Sequence, residues 1–413
     1  VLAGDENLVY SQSSDFFNFF IEDSDDLGDA DPIDSALSSA RVTIVDHVVG
    51  FDKALVIFTK AGQQFETNTP TLFTYATAAI SSSTSYNTIE GVRPVSMENY
   101  LYFPALLKGT TQLLEYYYSE QEAGHTAADV SKHCAGYLPS DMQTLEVGLN
   151  NNVVFAIETD GYTIYAYRYY WDADKKVQSA WAKYTFSTDE RIVDIGVIGN
   201  DIWMLMEDEN NDFYVTSLSI PADAVPTDWE YLPHLDNRVD LTGVHAAGTT
   251  TWTLTVPDEH LDVAVLGPDF GDDAGTVVEL TKVTSVSYTA AGDYSAGDAA
   301  LGREFTMNLE LSRPYVRSRD GAAILDMSLQ LLKLVTNHMD TGQYTIRVAQ
   351  SGRANRDYEF TPRDGSLLDA EGNSQAFLMG RADDTTVSIR DESAFPVTIS
   401  SAEYAATFVR RSR

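Results

Sequence analysis

A single cysteine, Cys134, stands in 413 residues. That excludes a disulfide framework within the chain and any cysteine-based zinc site. A lone cysteine of this kind reads as a small, partly buried hydrophobe made in a reducing cytoplasm, since a reactive thiol needs a setting that lowers its pKa. Long apolar runs are missing too. No window approaches the roughly 18 uninterrupted apolar residues of a spanning helix, so no transmembrane segment is expected. Positive charge is scarce, with 27 Lys and Arg against 62 Asp and Glu and a formal net charge of −35. A surface that grips nucleic acid needs basic patches, and this balance argues against one. Either the surface is simply highly hydrated, or it is an acidic wall past which another polyanion slides; composition alone favours the first. No leader pattern precedes Val1, which reads as the middle of a strand, so an N-terminal portion is expected upstream.

Catalytic signatures are absent as well. The seven histidines (His47, His125, His133, His234, His245, His260 and His338) are dispersed, and no HxH or HExxH spacing puts two imidazoles on one metal. There is no GxSxG elbow and no GxxxxGK[ST] phosphate loop. Among so many carboxylates no local motif selects a glycosidase pair, and no SxDxGxTW-type box appears. The acidic run Ile21–Asp34 invites a calcium-loop test. With Asp23 at position 1, Asp25 falls at 3, Gly28 at 6 and Asp34 at 12, but Leu27 occupies position 5 and cannot ligate. The run reads first as a solvated acidic loop, with a looser divalent-cation site as the alternative. No catalytic, cofactor-binding or metal-binding residue is assigned, and no cofactor is expected.

What the chain does have is tyrosine, threonine and valine, which favour strands. The stretch from Asn151 to Phe186 (NNVVFAIETDGYTIYAYRYYWDADKKVQSAWAKYTF) carries three apolar runs parted by two turn signals, Asp160-Gly161 and Trp171–Lys175. Thr163, Tyr165, Tyr167 and Tyr169 alternate with Ile164, Ala166, Arg168 and Tyr170, the period-2 pattern of a two-faced strand. Asp-Gly between such runs is a strong hairpin signal. Trp171, Trp181 and these tyrosines could offer a sugar-stacking platform, although aromatic packing between or across strands is the commoner use.

The unit repeats. Glu6–Phe20 turns near Ser13–Asp15, Ala54–Asn68 at Ala61-Gly62, and Tyr100–Ser119 about Lys108-Gly109. Asn151–Trp171 turns at Asp160-Gly161, and Asp201–Ile220 within Glu207–Asn211. Turn centres spaced by roughly 47 to 52 residues are what β-propeller blades produce, with a long β-sandwich as the alternative. Ala40–Val49 and Thr71–Ile80 supply further strand candidates between the hairpins.

After Ile220 the rhythm breaks in a loop punctuated by Pro221, Pro226 and Pro233. Thr250–Pro257, Asp262–Leu266 and Thr276–Tyr288 then read as strands, with acidic Gly-rich turns at Gly267–Gly275 and Ala291–Gly297. Glu304–Leu311, Ile324–Val335, Tyr344–Ala349, Thr385–Ile389 and Pro396–Ser400 follow as strands. Ile324–Val335 is so read despite its leucines, because Leu325, Met327, Leu329 and Leu331 alternate with polar residues. The tail ends in Arg410, Arg411 and Arg413, which pair with an acidic neighbour or stay solvated. The expected fold is all-β: residues 1–220 a partial, propeller-like domain of ~45–50-residue blades, residues 221–300 a small β-barrel or sandwich with acidic loops, and residues 301–413 a C-terminal β-sandwich.

Several segments also resemble the tail nozzle proteins (tail tubular protein B) of short-tailed phages. Val177–Phe186 (VQSAWAKYTF), preceded by YAYRYYW, is similar to the family's "vQsAWhkwtF" after "vYrYyw". ENLVYSQSSDFFNFF with DADPID, ALVIFTKAGQQFE, ADVSKHCAGYLP and the C-terminal FPVTISSAEYAATFVRRSR resemble further family segments, in the same order. Tyr404 and Tyr184 stand where the family usually has Trp, and residues 221–300 are barely similar. The resemblance implies a structural virion protein of the tail, assembled in the host bacterial cytoplasm. It implies a homo-hexameric ring that forms and gates the dsDNA ejection channel without binding DNA specifically, and that contacts a tail adaptor protein and tail fibre proteins. It implies no catalytic residue, so the chain is expected not to be an enzyme. An envelope-glycan hydrolase or a glycan-binding tail module is the alternative reading.

Overall fold

The computed structural model describes all residues except 22–26, 38–42, 68–72, 160, 173–174, 221–224, 226–228, 317–323, 325–326, 364–365 and 411–413. The chain is all-β and forms two compact units, Val1–Ala222 and Asp223–Arg413. Among the described residues no helix is long and apolar enough to cross a membrane.

The first unit is built from five antiparallel sheets, each with its strands in sequence order. The first holds Leu2–Ala3, Asn7–Tyr10 and Ile33–Ala36. The second holds Val45–Phe51, Ala54–Thr59, Gln64–Thr67 and Ile80–Thr84; the third Val95–Met97, Tyr100–Leu107, Thr110–Ser119 and Gly124–Asp129. The fourth holds Met142–Gly148, Val153–Glu158, Thr163–Asp172 and Lys175–Thr185, and the fifth Glu190–Ile198, Asp201–Asp208 and Phe213–Ser219.

Four of the five expected hairpins form around the predicted turns. Val56 pairs with Glu66, Leu106 with Thr111, Ala156 with Tyr165 and Leu205 with Val215. The exception is at the N-terminus. Asn7–Tyr10 takes Ile33–Ala36 as its partner rather than the Phe-rich segment after Ser13. Phe16, Phe17 and Phe20 are instead exposed, in a loop closed by Gln12 N–H donating to the Asn18 carbonyl and Asn18 Nδ2 donating to Gln12 Oε1. The Thr71–Ile80 candidate also fails as a strand. Thr77 Oγ1 accepts from Thr74 N–H and the Ala78 amide donates to the Thr74 carbonyl, a turn that delays the strand to Ile80.

In the second, third and fourth sheets central strands are apolar on both faces, because each of these sheets lies between two others. In Tyr100–Leu107, Leu101, Phe103 and Ala105 pack with Val56 and Phe58 of the second sheet, while Tyr102 joins Val154, Tyr165 and Tyr167 of the fourth. In Val153–Glu158, Val154 and Ala156 face the third sheet, and Val153, Phe155 and Ile157 face Ile195, Ile202 and Met204 of the fifth. Ile57 and Phe65 turn back onto Leu8 and Ile33 of the first sheet. The five sheets are thus stacked in chain order.

In the second unit, two four-stranded sheets close on Trp252, Leu261, Ala264, Tyr288 and Leu301. The expected strand Thr276–Tyr288 is broken into Val277–Glu279, Thr281–Thr284 and the start of Ser287–Ala291, which belong to both sheets. Its β-branched residues suit a strand throughout, so packing, including Val278 and Leu280 against this core, decides where it bends. A second sandwich pairs Met307–Leu311, Thr385–Asp391, Tyr344–Gln350 and Arg356–Phe360 with a sheet of three long strands. These are Asp369–Arg381, Met327–Thr341 and Thr398–Arg410. The leucine-rich segment is strand from Met327 onward; Ile324 lies outside the strand, and Leu325 and Asp326 lie outside the described residues. Asp369–Arg381 had no expectation attached, because its Glu, Gly, Asn and Ser lack strand propensity.

Phe103 is fully buried, with its ring 5.0 Å from that of Phe58 in the preceding sheet. Phe103→Ala should lower unfolding stability by about 3–5 kcal/mol, read as a shift of the denaturant midpoint of the first unit. An unchanged midpoint would refute the stacking of these two sheets.

Candidate functional site

The densest polar chemistry lies between sheets, not in an open pocket. Glu115, on the third strand of the third sheet, is only 5% exposed. Its Oε2 accepts from the Tyr102 hydroxyl at 2.7 Å and from Lys176 Nζ of the fourth sheet at 2.5 Å. Lys176 also donates to the Tyr167 hydroxyl at 3.3 Å and lies 5.0 Å from the Tyr169 ring centroid. Burial, and then the Glu115 charge, push the Tyr102 phenol far above its ordinary range. Tyr102 therefore remains a proton donor and no base.

The same construction occurs one sheet earlier. Glu66, on the third strand of the second sheet, accepts from the Tyr116 hydroxyl at 3.1 Å and meets His125 Nδ1 at 2.6 Å, both of the third sheet. His125 stacks on Tyr116 at 5.1 Å, and Ser83 completes the group at 2.6 Å from the Tyr116 hydroxyl. A carboxylate and a base from the next sheet thus recur about fifty residues apart, Glu66 with His125 and Glu115 with Lys176, each with a tyrosine hydroxyl on the carboxylate. Between the fourth and fifth sheets, Gln143 donates to the Val193 carbonyl, Thr144 to Asp194 and Asn150 to Asn200, each bond joining residues 50 apart.

In the second unit His338 is fully buried, with Nδ1 3.0 Å from the Tyr344 hydroxyl and Nε2 3.4 Å from Asp369 Oδ2. Tyr344 in turn bonds Thr336 at 2.9 Å and Ser374 at 2.8 Å. Tyr344 stands between serine and imidazole, so no hydroxyl nucleophile is activated as in a Ser-His-Asp site. Carboxyls of this unit crowd one another. Burial, then Asp262, Asp391, Glu392 and Glu279, raise the Glu304 carboxyl; burial raises Asp391, Asp262 and Asp240.

The residues singled out from sequence fall apart in space. Among the described residues no group of three or more His, Cys, Asp and Glu could hold a metal ion. Asp23 and Asp25 lie outside the described residues, Gly28 N–H donates to Asp31 Oδ2 at 2.7 Å, and Asp34 sits in a strand opposite Val9. Cys134 is half-buried, its Sγ donates to the Ser131 carbonyl, and burial pushes the thiol up, away from a reactive thiolate. Trp181 makes no sugar platform. Its ring packs 5.1 Å from Tyr167 and its Nε1 donates to the Val130 carbonyl across the sheets. The side chains of Trp171 and Arg410, with Arg411 and Arg413 entire, lie outside the described residues. The inter-sheet clamps escaped sequence reasoning; only the repeat interval separating Glu66 from Glu115 could have pointed to them.

A cleft of about 410 Å³ opens at the end of the fourth sheet, bordered by Asn150, Asn151, Asn152, Arg168, Tyr170 and Gln178. A second, of about 470 Å³, is charged and lies beside the Arg347–Asp357 pair, Arg390, Glu359 and Glu392. Two salt-bridging hydrogen bonds of 2.8 Å lock Arg347 onto Asp357 and depress that carboxyl.

Comparison with known proteins bears on this geometry. Tail tubular protein gp12 of Escherichia phage T7 is 24% identical over 437 residues, covering 98% of this chain and 54% of that protein. The chain thus spans about half the length of this curated relative. Solved structures are far more distant. An exo-β-1,3-galactanase of Phanerochaete chrysosporium gives a TM-score of 0.25 at 8% identity, over 91% of this chain and 87% of that one. The WD40 domain of SCAP from fission yeast gives 0.21 at 10%, over 87% and 76%. Neither likeness carries an argument. The family model described as bacteriophage nozzle protein matches residues 1–413. The all-β chain thus belongs to the bacteriophage nozzle proteins, a structural family and not an enzyme family, and is a component of the virion tail.

Proposed function

We propose that the chain, as part of a homo-hexameric ring, forms the wall of a tail nozzle through which dsDNA leaves the particle, with a tail adaptor protein and tail fibres attached outside. The five stacked sheets are consecutive blades of a propeller-like array in this reading. The observation that carries it is electrostatic. With a net charge of −35, the chain offers no replacement for the counterions condensed on DNA. Part of its scarce positive charge is already engaged: Arg191 with Glu207, Lys282 with Glu259, Arg347 with Asp357 and Arg381 with Asp383. A duplex moving past such a wall finds few phosphate partners and is repelled over about a Debye length, near 8–10 Å at physiological salt.

Gating is assigned to the acidic turn Gly267–Gly275. Asp269, Asp272 and Asp273 are exposed there, while Phe270 packs against the core below. In this reading the exposed carboxylates face the lumen. Stiffness against the load of ejection comes from the clamps between sheets.

A mass measurement on assembled tails should give six copies, and an image of the ring should place Asp and Glu on the bore. Lys and Arg lining the bore instead would end the sliding mechanism. Lys176→Met should cost about 3–5 kcal/mol by stranding the buried Glu115 charge, and adding Glu115→Leu should recover most of it in the same chemical unfolding assay. For pH the sign follows from raised carboxyls. Their folded pKa lies above the unfolded one, so their contribution is full below the ordinary carboxylate range and is lost as pH rises through the folded value. Asp391→Asn, which retains the Oδ1 acceptor for Ser393, should therefore raise the melting temperature at pH 8, with the gain shrinking toward pH 4.

A further inference from the structure

The cleft on the fourth sheet is chemically unlike the rest of the molecule. Of the described residues that border it none carries a carboxylate, in a chain with 62 Asp and Glu. The strands Thr163–Asp172 and Lys175–Thr185 run on past the end of Val153–Glu158, whose first residue pairs with Arg168. The turn Leu149–Asn151 fills in beside this overhang and brings three consecutive asparagines to its edge. Tyr170 pairs with Gln178 on the overhang, and Tyr170 is 61% exposed. Arg168 is exposed and has no ion pair among the described residues. Asn150 is tied to Asn200 at 2.9 Å, which fixes the turn. Asn151 Nδ2 is buried and has no hydrogen-bond partner among the described residues.

We propose that this cleft is a binding site for an uncharged saccharide. Each sugar hydroxyl is both donor and acceptor, and the amides of Asn151, Asn152 and Gln178 present both functions. Arg168 adds a rigid fork of donors, and the exposed Tyr170 ring offers an apolar surface for the C–H face of a sugar. The volume of about 410 Å³ falls in the ~300–1,000 Å³ range of small-molecule sites. The proposal is for binding alone: the pair of carboxylates that most glycoside hydrolases use is not found among the described lining residues. One arginine is too little for a duplex, whose binding rests on several phosphate contacts. The proposal is independent of the ring and of DNA passage.

The test is an array of bacterial surface oligosaccharides probed with the full chain, followed by calorimetry on the best hit. A saturable hit is expected, weakened at least tenfold by Arg168→Ala and by Gln178→Ala and unchanged by Tyr118→Ala in the third sheet. Melting temperatures should match the parent in all three, which separates lost binding from lost folding. Retention of no oligosaccharide at millimolar concentration would overturn the proposal, as would hits indifferent to both cleft variants. Tighter binding of a poly-glutamate peptide or of inorganic phosphate through Arg168 would overturn it too, by making the site one for anions.

Discussion

The stacking of sheets face to face governs the first unit. A β-sheet with one solvated face alternates apolar and polar residues, but here the inner sheets bury both. Leu101 and Phe103 point one way and Tyr102 the other, and each direction ends in a different core. Removing any inner sheet would therefore expose two apolar surfaces at once. The same constraint fixes the polar groups. Glu115 is acceptable inside because Tyr102 of its own sheet and Lys176 of the adjoining sheet meet it, and the half-buried Glu66 because Tyr116 and His125 of the adjoining sheet do. A buried ion pair of this sort contributes little net stability, yet it is costly to break, so it specifies which sheet adjoins which.

Charge works on a different scale. The self-repulsion of an excess of 35 acids is spread over the surface, and it weakens cohesion wherever carboxyls approach one another, as at Glu304, Asp391 and Asp262. The hydrophobic contacts between sheets act at van der Waals range and are indifferent to this field. The division lets the outside be acidic without loosening the stack. It also sets apart the Asn-rich cleft, whose border has no carboxylate among the described residues.

Much of this was legible in the sequence, and the reason differs from element to element. The hairpins at Gly62, Gly109 and Gly161 could be located because turn chemistry and period-2 alternation coincide there, and Gly62 and Gly109 do adopt positive φ. The Phe-rich segment after Ser13 misled because exposed phenylalanines look like core ones when only composition is seen. Thr276–Tyr288 misled because strand propensity does not say where a strand changes sheets. The clamps and the cleft were not legible, since Glu115 meets Lys176 across 61 residues and Gln178 meets Tyr170 through a register that no local pattern fixes.

The repeat interval carries a further consequence. Hydrogen bonds joining residues 50 apart between the fourth and fifth sheets require that the strand lengths and the connections within one repeat be commensurate. Inserting one residue within a strand would turn its following side chains to the opposite face, and in a sheet buried on both sides neither face can accept the exchange without loss. Insertions are tolerable only at the loop ends, where no inter-sheet core is built. A chain under this rule can drift widely in residue identity while the interval and the apolar alternation persist. What must be kept is spacing, and spacing is cheap to keep while side chains change.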